Sequence, residues 1–127
     1  MENYDNWNEI KKKISEKKSV YTKQGEIYYA SWGYNIGYEQ NGKGKNFMRP
    51  ILVYKKFGQD SILAMPLSSK LKTGRFYFSF SFQEDKISVA LLSQIRLIDT
   101  RRLYSKIGRM RAKDLKTLKE RFYELSD

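Results

Sequence analysis

The chain has 127 residues, with 25 lysines and arginines against 14 aspartates and glutamates, a formal net charge of +11 and a pI near 9.8. This length fits one domain with one modest core and excludes a two-lobed enzyme. The absence of cysteine and histidine excludes disulfides, a thiol nucleophile and the usual transition-metal ligands. The basic excess favours a polyanionic partner, with nucleic acid as the first candidate.

A membrane surface is the competing explanation for a basic chain. The sequence has no long apolar run, no signal-peptide core and no lipidation motif. We therefore expect a cytoplasmic protein that does not associate with membranes. We also expect no metal and no cofactor, because the carboxylates are scattered along the chain.

The N-terminal segment has apolar residues at helical spacing. Trp7, Ile10 and Ile14 recur over residues 4–19, and lysines occupy the remaining faces. This pattern predicts a short basic helix. We assign residues 1–24 to an N-terminal extension and residues 25–127 to the main domain.

A polar loop follows the first expected strand. It runs Gly37-Tyr38-Glu39-Gln40, then Gly42-Lys43-Gly44-Lys45. Glycines permit close backbone approach, and Lys43 and Lys45 supply positive charge. The loop could close over a nucleic acid, or it could be a solvated turn. Trp32, Tyr34 and Tyr38 could stack on bases, although a buried barrel position is the better default for Trp32.

Arg49 opens an apolar run, Arg49-Pro50-Ile51-Leu52-Val53. Pro50 biases Arg49 to an extended backbone and cannot donate to a sheet, so we expect Arg49 at the first residue of a strand, on a sheet rim. A planar fork of donors on a rigid edge suits a phosphodiester.

The middle of the chain predicts a small antiparallel sheet or barrel. Residues 25–109 are rich in aromatic and β-branched residues, interrupted by glycine, asparagine, aspartate and lysine. The clearest strand is Arg75–Phe82, in which phenylalanine occupies every second position. Alternation places Phe76, Phe78, Phe80 and Phe82 on one face, and we expect all four rings in the core.

The C-terminal segment predicts an amphipathic helix from Ala112 onward. Leu115, Leu118, Phe122 and Leu125 recur at helical spacing, with charged residues between them. We expect this helix to pack on the sheet. Physical reasoning thus reaches a basic, mainly β domain with terminal helices, whose charge and aromatic content suit single-stranded nucleic acid.

A set of short motifs in a fixed order adds a family resemblance that covers roughly residues 25–125. They are Gly37-Tyr38-Glu39-Gln40, Arg49-Pro50-Ile51-Leu52-Val53, Pro66-Leu67-Ser68-Ser69, and the pair Gln94-Ile95-Arg96 and Ile107-Gly108-Arg109. This set resembles the MazF/PemK family of toxin endoribonucleases, and an ordered set is more specific than one motif.

The resemblance implies an SH3-like small barrel of the CcdB/PemK type that works as a homodimer. It also implies sequence-specific, metal-independent cleavage of single-stranded RNA, which leaves 2′,3′-cyclic phosphate and 5′-hydroxyl ends. An antitoxin protein is the implied partner.

The resemblance assigns catalytic roles to Arg49, Ser68 and Glu39. Arg49 would clamp the phosphate and stabilise the transition state, or it could be an arginine paired with Glu39. Ser68 replaces the family's threonine; the alternative is a strand-end hydroxyl that bonds local backbone, and Ser69 could be the functional hydroxyl instead. Glu39 could accept the 2′-hydroxyl proton, although a structural carboxylate is the somewhat favoured interpretation.

Further residues are expected to contact RNA. Ser93 stands where the family often has an acidic residue, so a base role there does not carry over to this chain. Arg101 and Arg102 are expected to cap the segment after Asp99. The expected RNA-binding residues are Tyr38, Gln40, Lys43, Lys45, Ser69, Lys70, Gln94 and Arg96.

Two other functions stay open at this point. A CcdB-like protein poisons DNA gyrase by binding, but it lacks the paired arginine and hydroxyl motifs. A non-catalytic RNA-binding module of the same fold remains compatible with serine at positions 68 and 93.

Overall fold

The computed structural model describes residues 19–33 and 48–126. The expected N-terminal helix and Tyr34, Tyr38, Glu39, Gln40, Lys43 and Lys45 lie outside these residues. The described strands are β1 (Glu26–Ser31), β2 (Met48–Phe57), β3 (Ser61–Ser68), β4 (Tyr77–Gln83), β5 (Lys86–Leu91), β6 (Arg96–Asp99) and β7 (Leu103–Arg109). Short 3-10 turns span Leu92–Gln94 and Thr100–Arg102, and helix α1 spans Ala112–Leu125.

The strands form one antiparallel sheet in the order β4-β5-β3-β2-β1-β7. β3 pairs with β6 through its first half and with β5 at Leu67 and Ser68. Pro66 lies at this change of partner and is paired with neither β5 nor β6, a position that tolerates a residue without a backbone N–H. The expected mainly β fold is confirmed.

The first and last strands of this order meet and close the sheet into a barrel. The ring of Phe82 in β4 lies against Gly108 in β7, where a Cβ would come within 2.3 Å of the ring. Gly108 therefore has no room for a side chain, because the Phe82 ring occupies that space.

Alternate residues of β2 face two hydrophobic clusters. Leu52 and Tyr54 belong to the larger cluster, together with residues of β1, β3, β4 and β5. Ile51 and Val53 belong to the smaller cluster, with residues of β1, β3 and β6. This two-sided burial explains why the sequence of β2 is a continuous apolar run.

Helix α1 covers the larger cluster, as its sequence pattern predicted. Leu118 is fully buried, and Leu115, Phe122 and Leu125 are partly buried against the cluster. Arg121 fixes the helix to the barrel, because its Nη1 donates to the carbonyl of Tyr77 at 2.9 Å. Among the described residues, no helix is long and apolar enough to cross a membrane.

The prediction for the phenylalanine-rich strand is wrong at its start. β4 begins at Tyr77, and Phe76 is 47% exposed, whereas Phe78 and Phe80 are buried and Phe82 is partly buried. The cause is Gly74, whose φ of +126° starts a turn closed by a hydrogen bond from Tyr77 N to Gly74 O at 3.2 Å. Phe76 lies inside that turn, so alternation begins after it.

Residues 19–24, which the sequence interpretation placed in the N-terminal extension, contact the barrel. Thr22 is buried, and its carbonyl accepts a hydrogen bond from Lys56 Nζ at 3.0 Å. Val20 packs on the smaller cluster, and the Ser19 hydroxyl bonds the carboxylate of Asp60. The described part of the domain therefore begins at Ser19.

Candidate active site

Arg49 lies near the start of β2, between β1 and β3. It is the second residue of the strand and pairs with Ala30 of β1, so it is not at the first position, and β2 is not a sheet edge. Its Nη2 donates to the carbonyl of Leu67 in β3 at 3.1 Å. This bond ties the half-buried guanidinium to a neighbouring strand and limits its rotation.

Ser68 ends β3 near Arg49, whose guanidinium bonds the carbonyl of the preceding residue, Leu67. The β2–β3 register pairs Ile51 with Pro66, and Arg49 and Ser68 each lie two residues from that pair, on the same sheet face as it. Opposed residues of antiparallel strands project from the same face. The sheet therefore brings together the arginine and the hydroxyl that the two motifs predicted, although they are far apart in the sequence.

The Ser68 hydroxyl also has a local partner. Its Oγ accepts a hydrogen bond from the backbone N–H of Lys70 at 3.1 Å. This is the strand-end contact that the alternative interpretation of Ser68 expected. A hydroxyl that accepts one bond still has its own hydrogen to donate, so the contact orients the group and leaves it able to donate.

Arg96 and Trp32 form a second pair on this face. The guanidinium carbon of Arg96 lies 4.1 Å from the centre of the Trp32 ring. Arg96 belongs to β6 and Trp32 follows β1, so their contact spans β3 and β2, the strands that carry Ser68 and Arg49. Burial lowers the pKa of Arg96, and the nearby charge of Arg102 lowers it further; an arginine remains a cation at neutral pH all the same.

Trp32 is half-buried. Its exposure is therefore intermediate between the two sequence-based predictions, an exposed residue that stacks on bases and a buried aromatic residue of the barrel. Its contact with Arg96 could not be read from the sequence, because the two residues are 64 positions apart. The pair presents a flat cation beside an aromatic ring, an arrangement suited to stacking on a base.

Ser69, Lys70 and Gln94 are exposed around this site. Ser69 and Lys70 follow the end of β3, and Gln94 closes the 3-10 turn before β6. The sequence predicted that Arg101 and Arg102 cap the segment after Asp99. In the structure Asp99 is the capping residue: its carboxylate accepts a hydrogen bond from Arg101 N at 2.8 Å and pairs with the Arg101 guanidinium at 2.9 Å. The hydrogen bonds and charge of Arg101 lower the pKa of Asp99.

A groove of about 470 Å³ is lined in part by Ser68 and Ser69. Pro50 and Leu67 line it from the sheet, and Gln83 and Lys86 line it from the β4–β5 hairpin. Sequence reasoning did not single out Gln83 and Lys86. The local sequence signal near them is the polar turn Glu84-Asp85, which predicts a hairpin but does not indicate a ligand-binding site.

The other expected site residues belong to residues 34–47, whose flanking residues lie near Arg49. Ser31 at the end of β1 pairs with Met48 at the start of β2. Gly33 and Met48, which flank residues 34–47, therefore belong to the end of the sheet that carries Arg49. Tyr38, Glu39, Gln40, Lys43 and Lys45 are within that interval and outside the described residues.

A metal centre requires a cluster of side chains that can act as ligands. Residues 19–33 and 48–126 contain no group of three or more histidine, cysteine, aspartate or glutamate side chains that could hold a metal ion.

The fold defines a small, mainly β protein of the barrel type, in which Arg49 and Ser68 lie on one sheet face. A family model described as PemK-like, MazF-like toxin of type II toxin–antitoxin systems matches residues 23–125. The chain therefore belongs to the PemK/MazF-like toxin family, whose members are generally endoribonucleases.

Solved structures agree with this fold. The Mycobacterium tuberculosis toxin MazF-mt6 superposes with a TM-score of 0.60 at 14% identity, over 78% of this chain and 93% of that one. A further M. tuberculosis toxin superposes with a TM-score of 0.54 at 16% identity, over 60% of this chain and 90% of the other. No curated protein matches the sequence.

Proposed function

We propose that this toxin-family protein is a sequence-specific, metal-independent endoribonuclease that cleaves single-stranded RNA to 2′,3′-cyclic phosphate and 5′-hydroxyl ends. The observation that carries the proposal is that Arg49 lies on the same sheet face as Ser68 and bonds the carbonyl of the residue before it. Family membership suggests the reaction class, and these two side chains are our candidates for holding one phosphate.

The proposed reaction is an internal transphosphorylation. The ribose 2′-oxygen loses its proton and attacks the adjacent phosphorus, and the bond from phosphorus to the 5′-oxygen breaks. The 5′-oxygen takes up a proton as it leaves. Charge accumulates on the non-bridging oxygens in the transition state, so fixed donors aimed at them lower the barrier most.

Arg49 is the proposed donor to those oxygens. Its Nη2 donates to the Leu67 carbonyl, which restrains the guanidinium next to the end of β3. A planar fork matches two phosphate oxygens at once and remains charged throughout the reaction.

Ser68 is the proposed second donor. The N–H of Lys70 holds its oxygen in place, and its hydrogen can point to the same phosphate. Glu39 is our candidate for accepting the 2′-hydroxyl proton. It precedes Arg49 by ten residues in the sequence.

The remaining predicted residues are proposed to bind the RNA strand. Arg96 and Gln94 would contact bases or phosphates next to Trp32, and Ser69 and Lys70 would follow the strand past Ser68. Tyr38, Gln40, Lys43 and Lys45 would contact it from the loop. A homodimer and an antitoxin partner complete the proposal, both on the basis of family membership.

The proposal is tested by incubating the pure protein with a long mixed-sequence RNA in excess EDTA and mapping the fragment ends. We expect cuts at a short recurring sequence. Activity that disappears with EDTA and returns with magnesium or manganese would overturn the metal-independent mechanism.

One observation favours a second candidate, an RNA-binding module without cleavage. The Ser68 hydroxyl already has a local backbone partner, so its function could be purely structural. Under this alternative the protein binds the RNA of the same assay and leaves it intact.

A further inference from the structure

A second groove, the helix groove, lies between β2 and α1 and has a volume of about 410 Å³. We define it by Tyr54, Lys55, Lys119, Phe122 and Tyr123, which line it. Its volume is in the range of sites that hold a small ligand or one unit of a polymer. Tyr54 lies in β2 five residues after Arg49, on the opposite sheet face, so the groove is separate from the candidate active site.

The floor of the helix groove is aromatic. The rings of Tyr54 and Phe122 lie 5.2 Å apart at 60°, and Tyr54 is buried beneath the surface. Tyr123 stands on the rim and is 74% exposed, which leaves its ring available to a ligand. Flat rings at a solvated surface provide stacking platforms for bases of any sequence.

The walls of the helix groove are basic. Lys55 approaches from β2 and Lys119 from α1, and among the described residues that line the groove there is no carboxylate. Lys55 also lies over the ring of Phe57, which is 47% exposed, with Nζ 5.3 Å from the ring centre. Aromatic and basic groups therefore continue from the groove to the end of β2.

We propose that the helix groove binds a nucleotide of single-stranded RNA at a distance from the cleavage site. The base would stack on Tyr123 over the aromatic floor, and Lys55 and Lys119 would neutralise flanking phosphates. This inference rests on the proposed function for the choice of RNA as the occupant. Lys55 is six residues from Arg49 along β2, about 20 Å at the rise of an extended strand, so the helix groove is distinct from the proposed cleavage site.

The test measures binding to a labelled mixed-sequence RNA with 2′-O-methyl riboses, which cannot be cleaved by attack of the 2′-oxygen. Fluorescence anisotropy compares the full chain with Tyr123→Ala and with the double variant Lys55→Glu and Lys119→Glu. The matched controls are Tyr21→Ala, another exposed tyrosine, and the double variant Lys113→Glu and Lys116→Glu on the same helix.

We expect Tyr123→Ala to weaken binding about fivefold or more, as for loss of one stacked base. In the Lys55 and Lys119 double variant, the slope of log affinity against log salt should fall by about 1.4, because each phosphate contact on a single strand contributes about 0.7. Equal losses in the groove variants and their controls would overturn the proposal, since net charge alone would then explain binding.

Three further arms separate other occupants. Displacement of the RNA by an equal concentration of free nucleotides would overturn a strand site in favour of a small-molecule site. Groove-dependent binding of a labelled polyglutamate peptide, with unchanged RNA binding, would assign the groove to an acidic protein segment. Dissociation of a dimer on Tyr123→Ala, measured by sedimentation, would assign it to a second copy of this chain.

Cleavage is assayed separately with unmodified RNA, so failures of the two proposals are distinguishable. Groove-dependent binding without any cleavage would contradict the proposed activity and support the groove. Cleavage together with RNA binding that does not depend on the groove would support the proposed activity and contradict the groove proposal.

Discussion

The guanidinium of Arg49 is tethered to the Leu67 carbonyl and faces the end of β3. If it stabilises the pentavalent transition state, Arg49→Ala should cost about 2.7–4 kcal/mol, or roughly a hundred- to a thousandfold in rate, as for loss of one preorganised donor. Arg49→Lys should rescue poorly, because an ammonium cannot reproduce the planar fork. Single-turnover cleavage measures these rates.

A matched control for Arg49→Ala is Arg75→Ala, which removes one exposed positive charge from the turn before β4. Its cleavage rate should stay close to that of the wild type. Equal rates for both alanine variants in folded protein would remove Arg49 from the mechanism.

Ser68 separates a catalytic hydroxyl from a structural one. Ser68→Ala should slow cleavage, whereas Ser68→Thr keeps the hydroxyl, restores the family residue and should retain or increase the rate. A structural function would predict lower stability in urea with no change in rate for Ser68→Ala. If only Ser69→Ala abolishes cleavage, the functional hydroxyl is one residue further along the chain.

Tyr28 makes the stability of the barrel dependent on alkaline pH. Burial, and then a hydrogen bond to Glu26, raises the pKa of Tyr28 to about 12 from 10.0. The folded state therefore keeps the phenol proton through a range in which the unfolded chain loses it, and stability falls as pH rises from 10 to 12. The contribution is on the order of 2 to 3 kcal/mol.

The check is urea unfolding of the wild type and Tyr28→Phe across that range of pH. Phenylalanine cannot ionise, so the variant should lose less stability than the wild type between the two ends. The same loss in both proteins would show that Tyr28 does not cause the pH dependence.

At the scale of elements, barrel closure depends on contact between β4 and β7. Gly108→Ala should destabilise the fold by about 1–3 kcal/mol, because the new methyl group overlaps the Phe82 ring and overpacking has costs of this size. Urea midpoints measure the change, and Ser105→Ala on the exposed side of the same strand is the control. Adding Phe82→Leu to Gly108→Ala replaces the ring with a smaller side chain and should recover part of the lost stability. No recovery would show that the overlap with Phe82 is not the cause of the destabilisation.

The sequence pattern predicted those elements in which burial alone decides which residues are apolar. Helix α1 was predicted because its apolar stripe packs on a single cluster, and β2 because both of its faces are buried. The start of β4 was mispredicted because a positive φ at Gly74 moves Phe76 into a turn. The sequence shows a glycine at position 74 but not its conformation.

The candidate site was predictable only through family motifs. Ordinary residue statistics would treat Ser68 as a turn hydroxyl, and only the motif order associated it with Arg49. The contact of Arg96 with Trp32, the hairpin residues Gln83 and Lys86, and the packing of Phe82 on Gly108 arise from strand order and closure. No local pattern contains that information.

At the scale of the whole molecule, the barrel has little surface to bury by itself, and we predict a homodimer. The barrel loops, or a part of the C-terminal helix outside the helix groove, should form the interface, and the exposed apolar residues Leu71 and Phe76 lie in the loop between β3 and β4. Sedimentation at tens of micromolar, roughly the range of a micromolar interface, should show a dimer. The double variant Leu71→Glu and Phe76→Glu tests whether this loop forms the dimer interface. A wild-type protein that sediments only as a monomer would contradict the predicted homodimer.

The measurement that tests the central claim most directly is analysis of the RNA ends produced in EDTA by the wild type and by Arg49→Ala. The account predicts 2′,3′-cyclic phosphate and 5′-hydroxyl ends at a recurring sequence for the wild type, with the same products formed about a hundredfold or more slowly by the variant. Intact RNA with the wild type, 5′-phosphate ends, or equal rates for the two proteins would contradict it.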